Sequence, residues 1–387
     1  MRHAAVLLWA VLAALPSSGC LFFPLGGRPT AAPGGGPSPI GKGLRDFRVA
    51  FHCHSHLSHD SKVPFEKILA AAKKLGFNAV VMNDHYESGN ISRSWRGLRD
   101  GVLFVPGVEI RPDALPNKKA RGGLLVFGIE GDFDKNRTRT ELLPELRAKG
   151  AVAAAGHCEE LEGLDRYPFE AFEVYNLHAQ FEAASILEIA LTGILLGADP
   201  FFECHVRPLK PVLDAYDAQL LAGKRLAPLG GHDSHENVKL LGITIGTYPE
   251  LLRLFSNHVL APQLDEPSIL EAVRKGRTYL SFDFLGDAIG FRMGYGPPDA
   301  APDSLAILGD EAVFKSDSVL AVDAPAEGQI RIFRNGVVWR IGEGKSVRGP
   351  LPGPGIYRAE VHRHAADGLW RLWIFSAPIY VMGREGG

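Results

Sequence analysis

Short apolar runs alternate with longer amphipathic stretches through the middle of the chain. The runs occupy residues 47–53, 79–82, 102–105, 124–129, 151–155, 172–174 and 226–229. Apolar runs of this length are typical of strands buried on both faces, as in a parallel sheet. In the stretch 64–76 apolar residues recur at helical spacing, Pro64 suits a first turn and Gly76 suits an end. Its apolar stripe comprises Phe65, Ile68, Leu69, Ala72 and Leu75. Repeated strand–helix units of this kind predict an α/β fold.

The pattern changes near residue 298, where short alternating runs replace the strand–helix units. The run 329–333 alternates apolar and polar residues, and Asn335-Gly336 follows it closely. An Asn-Gly pair between two alternating runs is a strong signal of a β-hairpin. Further runs at 356–361 and 370–375 extend the pattern. Residues 298–387 are therefore predicted to form a small all-β, sandwich-like C-terminal domain.

The first twenty residues have the pattern of an export signal. Arg2 and His3 precede an apolar run over residues 4–15, and small residues then lead to Cys20. The run is too short to span a bilayer comfortably as a mature helix. The small residues before Cys20 also resemble a bacterial lipoprotein signal, in which this cysteine carries the lipid. We expect an exported protein, anchored to the membrane of the cell envelope by lipid on Cys20 or else periplasmic or secreted.

A Gly/Pro-rich stretch separates this signal from the first apolar run. Residues 21–46 show almost no apolar periodicity and are predicted to be a flexible linker. The predicted division is therefore 1–20 for the signal, 21–46 for the linker, 47–297 for the α/β domain and 298–387 for the β domain. One more apolar segment, 186–202, contains Glu188 and Asp199. These charges favour a buried helix over a membrane span.

Charge and cysteine content exclude two classes of protein. The formal net charge is -2, and no long basic run is present that could neutralise a track of phosphates, so no nucleic-acid partner is expected. With Cys20 set aside, Cys53, Cys158 and Cys204 remain. An odd number of cysteines gives no disulfide framework, and small buried thiols are the expected role.

Histidines and carboxylates follow one apolar run after another. The segment FHCHSHLSHD, residues 51–60, places His52 and His54 at the end of the first run, where strand alternation would point both imidazoles the same way. Candidate ligands follow the second, third, fifth and last runs: His85, Glu109, His157, and Asp233 with His235. The carboxyl ends of parallel strands form the face where α/β folds build their sites. We expect these side chains to converge there, and their recurrence favours a closed or distorted barrel.

The donor types predict a cluster of metal ions. Mixed imidazole and carboxylate ligands suit zinc, manganese or iron better than calcium or magnesium. Their number exceeds what one tetrahedral ion could use, so two or three divalent transition metal ions are expected. Such a cluster would supply a bridging hydroxide near neutral pH and would offset charge on phosphoryl oxygens.

Taken together and in this order, the motifs resemble the PHP family, the polymerase and histidinol phosphatase domain. The resemblance covers about residues 47–285. It rests on His52-Cys53-His54-Ser55 with Ser58 and Asp60, Asp84-His85, Pro106-Gly107-Val108-Glu109, Gly156-His157, Glu173-Val174-Tyr175-Asn176 and Asp233-Ser234-His235. It implies a distorted seven-stranded (βα) barrel and metal-dependent hydrolysis of a phosphate ester.

The resemblance also implies an assignment of ligands to each ion. His52, His54 and Asp233 would hold one ion, and Glu109 would bridge it to a second ion held by His85 and His157. A third ion would take His235, a residue at Asp60 or His59, and one at Asn176 or His178. The number of ions therefore stays open at two or three.

The predicted activity is hydrolysis of a small phosphate monoester or diester by the metal-bridged hydroxide. Glu109, Asp60 and His235 are the candidate catalytic residues, and His235 or Asp60 would protonate the leaving oxygen. Lys62 and Arg111 are the nearest cations along the chain that could bind phosphoryl oxygens. Two alternatives stay open. An amidohydrolase-type enzyme usually has a bridging lysine where this chain offers Glu109, and a surface binding protein would keep the metal site without turnover. The oligomeric state stays open.

Overall fold

The computed structural model of the protein describes residues 38–86, 92–110, 123–132, 134, 136–159, 168–182, 206–240, 243–365 and 368–383. Within these ranges the α-helices are α1 (Phe65–Lys74), α2 (Arg139–Ala148), α3 (Leu177–Glu182), α4 (Lys210–Leu221), α5 (Tyr248–Leu252) and α6 (Glu266–Arg274). Short 3₁₀ helices cover Ser92–Trp95, Asp283–Leu285 and Pro302–Ser304. The helices are few beside the number of strands.

The first eleven strands are β1 (Ser38–Gly41), β2 (Leu44–Cys53), β3 (Ala79–Met82), β4 (Asp84–His85), β5 (Gly97–Arg99), β6 (Val102–Val105), β7 (Gly107–Ile110), β8 (Gly123–Phe127), β9 (Val152–Gly156), β10 (Ala171–Asn176) and β11 (Ala227–Ser234). The others are β12 (Val238–Leu240), β13 (Ile243–Ile245), β14 (Ser256–Ala261), β15 (Thr278–Ser281), β16 (Arg292–Gly296), β17 (Glu311–Val313), β18 (Val319–Arg334), β19 (Val337–Pro350), β20 (Gly355–His364), β21 (Trp370–Ser376) and β22 (Ile379–Met382). Twenty of them belong to one mixed sheet, while β12 and β13 form a separate ribbon. The prediction of an α/β fold is confirmed at the level of a large mixed sheet with few helices.

Strand β2 lies at the centre of this sheet because it pairs with four other strands. It runs parallel to β3 and β11 and antiparallel to β1 and β14. Parallel pairing continues from β3 to β6, from β4 to β7, and from β9 through β10 to β11. The carboxyl ends of these parallel strands therefore lie at one edge, where the predicted ligands follow them in the sequence.

All seven apolar runs of the middle region lie in strands, with bounds that differ by a few residues. One of them differs in direction: β8 pairs antiparallel with both β7 and β9, so its prediction as a parallel strand was wrong. The physical reason is that a run buried on both faces, as β8 is, reads the same in either direction. Composition alone therefore could not orient it.

Helix α1 forms as its sequence predicts. Phe65, Ile68, Ala71 and Ala72 are its buried residues, and they belong to a core cluster that includes apolar residues of β2, β3 and β6. Gly76 has a φ of 73°, a left-handed conformation that glycine adopts without the Cβ penalty. The apolar stripe thus packs against the sheet, and the helix ends at Lys74, two residues before Gly76.

The predicted hairpin of the C-terminal region is present. Strands β18 and β19 pair antiparallel, and the turn between them is Asn335-Gly336 with φ values of 52° and 77°, as a type I′ turn requires. Strands β20, β21 and β22 extend this antiparallel part. The pairing of β15 with β21 joins it to the strands of the α/β part. Trp373 is fully buried, whereas Trp370 is 39% exposed.

Several predictions about the N-terminal and middle segments lie outside the described residues. These are the export signal, the lipid site at Cys20, most of the linker and the buried helix over 186–202. The end of the predicted linker is described, and it is not irregular: β1 and the start of β2 form an antiparallel pair there. Lys42 and Gly43, both with positive φ, make the turn between them. No helix among the described residues has the length and apolarity needed to cross a membrane.

Candidate metal centre

The histidines and carboxylates that follow the strands lie close together at one edge of the sheet. In each of three sets the ligand atoms all lie within 4.8 Å of one another, and the last two sets share His85: His52, Glu109, His157 and Asp233; His54, His85 and His235; and His59, Asp60 and His85. Every predicted metal ligand is a member of at least one set except Asn176 and His178, the alternatives for a third ion, which are in none. Together the sets bring residues from position 52 to position 235 into one cleft.

The first set is buried. His52 Nε2 lies 3.4 Å from Glu109 Oε2 and 3.5 Å from Asp233 Oδ1. His157 Nε2 lies 3.3 Å from Glu109 Oε1 and 3.5 Å from Asp233 Oδ2. Each carboxylate therefore faces both imidazoles, one oxygen to each.

The imidazoles of the second set face the same two carboxylates. His54 Nε2 lies 3.2 Å from Asp233 Oδ1 and 3.6 Å from Glu109 Oε2, and His85 Nδ1 lies 3.3 Å from Glu109 Oε2. The rings of His54 and His235 stack with centroids 3.9 Å apart. Glu109 and Asp233 consequently stand between the two sets of imidazoles. The assignment that the PHP resemblance implies stays a prediction: His52 and His54 both face Asp233 Oδ1, and His85 and His157 both face Glu109.

The third set lies at the exposed rim. Asp60 Oδ2 is 3.5 Å from His85 Nε2 and 3.3 Å from His235 Nε2, and the Asp60 side chain is 31% exposed. Burial alone would raise the pKa of Asp60, but His85 and His235 lower it to about 2. His59, which competes with Asp60 in the sequence, is exposed and its ring lies 5.0 Å from that of His85. The rim is thus the side from which solvent reaches the site.

The backbone is left-handed at three of the four residues of the buried set. His52, His157 and Asp233 have φ values of 57°, 48° and 47°. Non-glycine residues adopt this conformation rarely, at a cost of order 1–3 kcal/mol each, and mostly at functional sites. The register of β2 against both β3 and β11 shifts at the same place. Regular strand alternation, from which the shared direction of His52 and His54 was predicted, therefore does not hold at this point, and an irregular strand end positions the two rings.

Hydrogen bonds behind the ligands fix the orientation of His54. The Ser58 hydroxyl donates to Asp84 Oδ1 at 3.1 Å and lies 3.0 Å from His54 Nδ1. Since the hydroxyl proton is directed to Asp84, the Ser58 oxygen accepts from the Nδ1–H of His54, and the lone pair of His54 is then on Nε2. Asp84 also accepts from the backbone N–H of Ser55 at 2.5 Å.

This arrangement fits a cation between the ligands. His54 Nε2 and His235 Nε2 are buried and have no hydrogen-bond partner among the described residues, yet carboxylate oxygens face them at 3.2 Å and 3.3 Å. Burial and the nearby His235 lower the pKa of His54 to about 3, although Asp233 raises it. A neutral nitrogen lone pair that faces a carboxylate oxygen is repulsive unless a cation lies between them. The residues therefore suit the divalent metals predicted from the sequence.

The pKa values of residues in the buried set are also consistent with a bound cation. Burial lowers the pKa of His52, but Asp233 and Glu173 outweigh it and raise the pKa to about 10. The histidines around Glu109 and Asp233 hold the pKa of both carboxyls well below the usual range despite burial. Protons on imidazole thus balance the carboxylates when no metal is bound, and a bound cation would take their place.

Several other residues predicted for the site are not members of the ligand sets. Arg111 lies outside the described residues, and Lys62 is exposed on the loop after Asp60. His178 is exposed on α3. Asn176 is buried but its amide is already engaged, because Oδ1 accepts from the N–H of Ala179 at 2.9 Å and Nδ2 donates to Glu173 at 3.1 Å.

Sequence reasoning gave no role to Glu173, Ser58 or Asp84, although all three stood in the quoted motifs. The only signal in the sequence was their place beside the ligands. Their side chains hydrogen-bond to residues up to 121 positions away, and such distant partners leave no local pattern. His232 stacks on Phe255 with ring centroids 4.0 Å apart. His258 is fully buried.

Comparison with known proteins gives a weak structural similarity. No model of a protein family matches the chain, and no curated protein matches it. A solved structure from Bacteroides vulgatus, a two-domain protein containing a predicted PHP-like metal-dependent phosphoesterase, is similar with a TM-score of 0.43 and 14% sequence identity. The match covers 92% of this chain and 100% of that one. At this level of similarity, function has to be inferred from the chain's own residues.

Proposed function

We propose that this protein is a metal-dependent phosphoric ester hydrolase that acts on a small phosphate monoester or diester. The observation that carries the proposal is the site at which three neighbouring sets of imidazoles and carboxylates lie together. No single ion could use all of these donors, so two or three divalent transition metal ions, such as zinc, manganese or iron, are proposed.

Glu109 and Asp233 are proposed to bridge neighbouring ions. The support is their position, because each carboxylate lies within 3.6 Å of imidazole nitrogens on both sides. Glu109 is a carboxylate at the place where amidohydrolase-type enzymes usually have a lysine. The amidohydrolase alternative is therefore less well supported.

The rim is proposed to face the substrate. Ions bound in the cleft would supply an acidic water as nucleophile and would offset negative charge on the phosphoryl oxygens. Where no third ion occupies His235 Nε2, this nitrogen, at the rim beside Asp60, is proposed to exchange a proton with the leaving oxygen. Asp60 is proposed to hold His85 and His235 in place through its Oδ2, as its distances of 3.5 Å and 3.3 Å suggest. Lys62, exposed on the adjoining loop, is a proposed contact for the substrate's phosphate.

The finer architecture is likewise a proposal. We infer a distorted seven-stranded barrel in which β3 with β4 and β6 with β7 each act as one kinked strand. The pairings that support it run from β2 to β3, β6, β7, β8, β9, β10 and β11, and from β11 back to β2. The division into an α/β domain over 47–297 and a β domain over 298–387 is proposed with it.

Export and lipid attachment at Cys20 are proposed from the N-terminal sequence alone. Mass spectrometry of the mature N-terminus tests this, because a diacylglyceryl group on Cys20 is expected. An unmodified N-terminus elsewhere would refute the anchor.

The test of the activity is a panel of phosphate monoesters and diesters assayed with protein purified without chelators, whose metal content is measured by elemental analysis. His54→Ala and Glu109→Gln are expected to lower kcat/KM by more than about 100-fold, beyond the range seen for residues outside the ligand set. His364→Ala is the matched control, since His364 belongs to an HxH pair on β20 and is exposed. Full activity in both site variants would exclude the proposal, and metal uptake without any turnover would favour the binding-protein alternative.

A further inference from the structure

We propose that Glu173 is the positioning residue of the metal centre. In this role its carboxylate fixes the ring of His52 and the backbone of His157, so that both imidazoles face the same buried set. The inference rests on the proposed metal-dependent function, but it concerns metal binding and can be tested without any substrate.

Three hydrogen bonds converge on the Glu173 carboxylate. Oε1 lies 2.7 Å from His52 Nδ1, while Oε2 accepts from the backbone N–H of His157 at 2.7 Å and from Asn176 Nδ2 at 3.1 Å. The side chain is 1% exposed and that of His52 is 0% exposed. Both oxygens are thus directed at protein donors, and Glu173 belongs to none of the sets that could hold an ion.

The bond to His52 decides which nitrogen of that ring is available to a metal. A carboxylate can only accept, so His52 donates its Nδ1–H to Glu173. In the neutral ring the lone pair is then on Nε2, which lies 3.4 Å from Glu109 and 3.5 Å from Asp233. A carboxylate behind a ligating histidine in this way fixes the tautomer and the ring orientation.

The bond to His157 acts on the backbone. His157 has a φ of 48°, a conformation that non-glycine residues adopt only where the surroundings hold it. The hydrogen bond that the His157 N–H donates to Glu173 is one contact that holds it. The same carboxylate therefore ties together two left-handed strand ends, those of β2 and β9.

The sheet leaves room for this reach at one glycine. Glu173 lies on β10, and β11 stands between β10 and β2. At Gly231 on β11, a Cβ would lie 1.8 Å from Glu173 Oε1 and 3.1 Å from His52 Nδ1. Only a residue without a side chain permits the contact between Glu173 and His52 across β11.

The test is metal affinity of the full-length protein, measured by chelator competition with Zn²⁺ and with Co²⁺, whose visible absorption reports ligand geometry. Glu173→Gln keeps the size of the side chain but directs an N–H either at His52 Nδ1 or at the two donors that face Oε2, so at least one of the three donors loses its acceptor. We expect a 10–100-fold loss of affinity, on the order seen for outer-shell partners, with an altered Co²⁺ spectrum and unchanged circular dichroism. Gly231→Ala is the second variant and should produce the same loss by displacing the carboxylate.

Two comparisons separate positioning from general damage. Glu170→Gln is the matched control. Glu170 is a buried carboxylate next to the same strand, it accepts from the Ala153 N–H at 3.1 Å, and neither residue belongs to a ligand set. It should leave affinity unchanged. In a His52→Ala background, Glu173→Gln should have a much smaller effect than in the wild-type chain.

Wild-type affinity in both Glu173→Gln and Gly231→Ala would overturn the inference, and so would an equal loss with and without His52. If the wild-type protein takes up no transition metal, the inference and the proposed function fall together. If it binds metal as described but hydrolyses no phosphate ester, only the proposed function falls.

Discussion

Replacing Arg358 with methionine should lower the free energy of unfolding by about 3–5 kcal/mol. Arg358 on β20 is 3% exposed and lies against α4. Its Nε and one terminal nitrogen donate to the two oxygens of Asp217 at 2.7 Å each, and its other terminal nitrogen donates to Glu360 at 2.7 Å. The guanidinium also lies 3.9 Å from the ring centroid of Phe333 and 4.6 Å from that of Phe375.

The magnitude follows from what the substitution leaves behind. The Asp217 and Glu360 side chains are 11% and 8% exposed, so both carboxylates would stay buried without Arg358. Glu360 would keep the His362 ring at 2.9 Å, whereas Asp217 would lose its counter-ion. Removal of one partner from a buried ion pair is costly because the desolvation of the other charge is no longer offset. The total stability of a domain is about 5–15 kcal/mol, so this loss should be large enough to measure easily.

Urea unfolding followed by tryptophan fluorescence and circular dichroism measures the effect. The matched control is Arg348→Met, which breaks an ion pair with Asp323 whose side chains are 63% and 36% exposed, and it should cost only about 0–1 kcal/mol. Adding Asp217→Asn to Arg358→Met should recover part of the loss, since the buried carboxylate that has lost its counter-ion is then neutral. A loss in Arg358→Met no larger than that of the control would refute the reasoning.

Three further outcomes are expected. Burial would raise the pKa of Glu360, but His362 and Arg358 hold it below its usual value. The ionised carboxylate therefore stabilises the fold above the pKa of an unfolded carboxyl, and this stabilisation is lost as pH falls through the pKa of the folded state. The unfolding midpoint should consequently drop less in Glu360→Gln than in the wild-type chain between roughly pH 5 and pH 3, the range set by ordinary carboxyl pKa values. Asp46→Ala removes the acceptor of His258 Nδ1 at 2.8 Å, and should cost at least about 2 kcal/mol in urea unfolding while metal content stays unchanged. Dialysis against a chelator should lower the melting temperature and metal return should restore it, because a ligand that binds only the folded state stabilises it; no shift on metal removal would count against the metal centre.

Local patterns were sufficient for the secondary structure that depends on neighbours in the chain. The stripe of helix α1 with Pro64 before it and Gly76 after it, and the Asn335-Gly336 turn, are set by backbone preferences and by periodicity over a few residues. The strands were found for the same reason. The direction of β8 was not, because an apolar run buried on both faces does not record its direction.

The candidate site divides in the same way. That a histidine or carboxylate ends each of several strands is a property of the sequence, and the geometry of parallel strands is what makes such residues meet. The grouping of His157 with His52, and of His85 with His54, depends on the irregular strand ends at His52, His157 and Asp233. Those conformations are held by contacts such as that between Glu173 and the His157 N–H, which no local pattern encodes.

The sequence by itself determined which chemical groups are available and at which strand ends they stand, because residue type and short-range periodicity are written in the chain. Only the tertiary structure decided which of them share a cleft, which oxygen faces which ring, and that Glu173 reaches His52 across Gly231. Glu173 and His52 are 121 positions apart. Their contact arises from the packing of the whole sheet, in which buried charges are stabilised by hydrogen bonds to residues that are distant in the sequence.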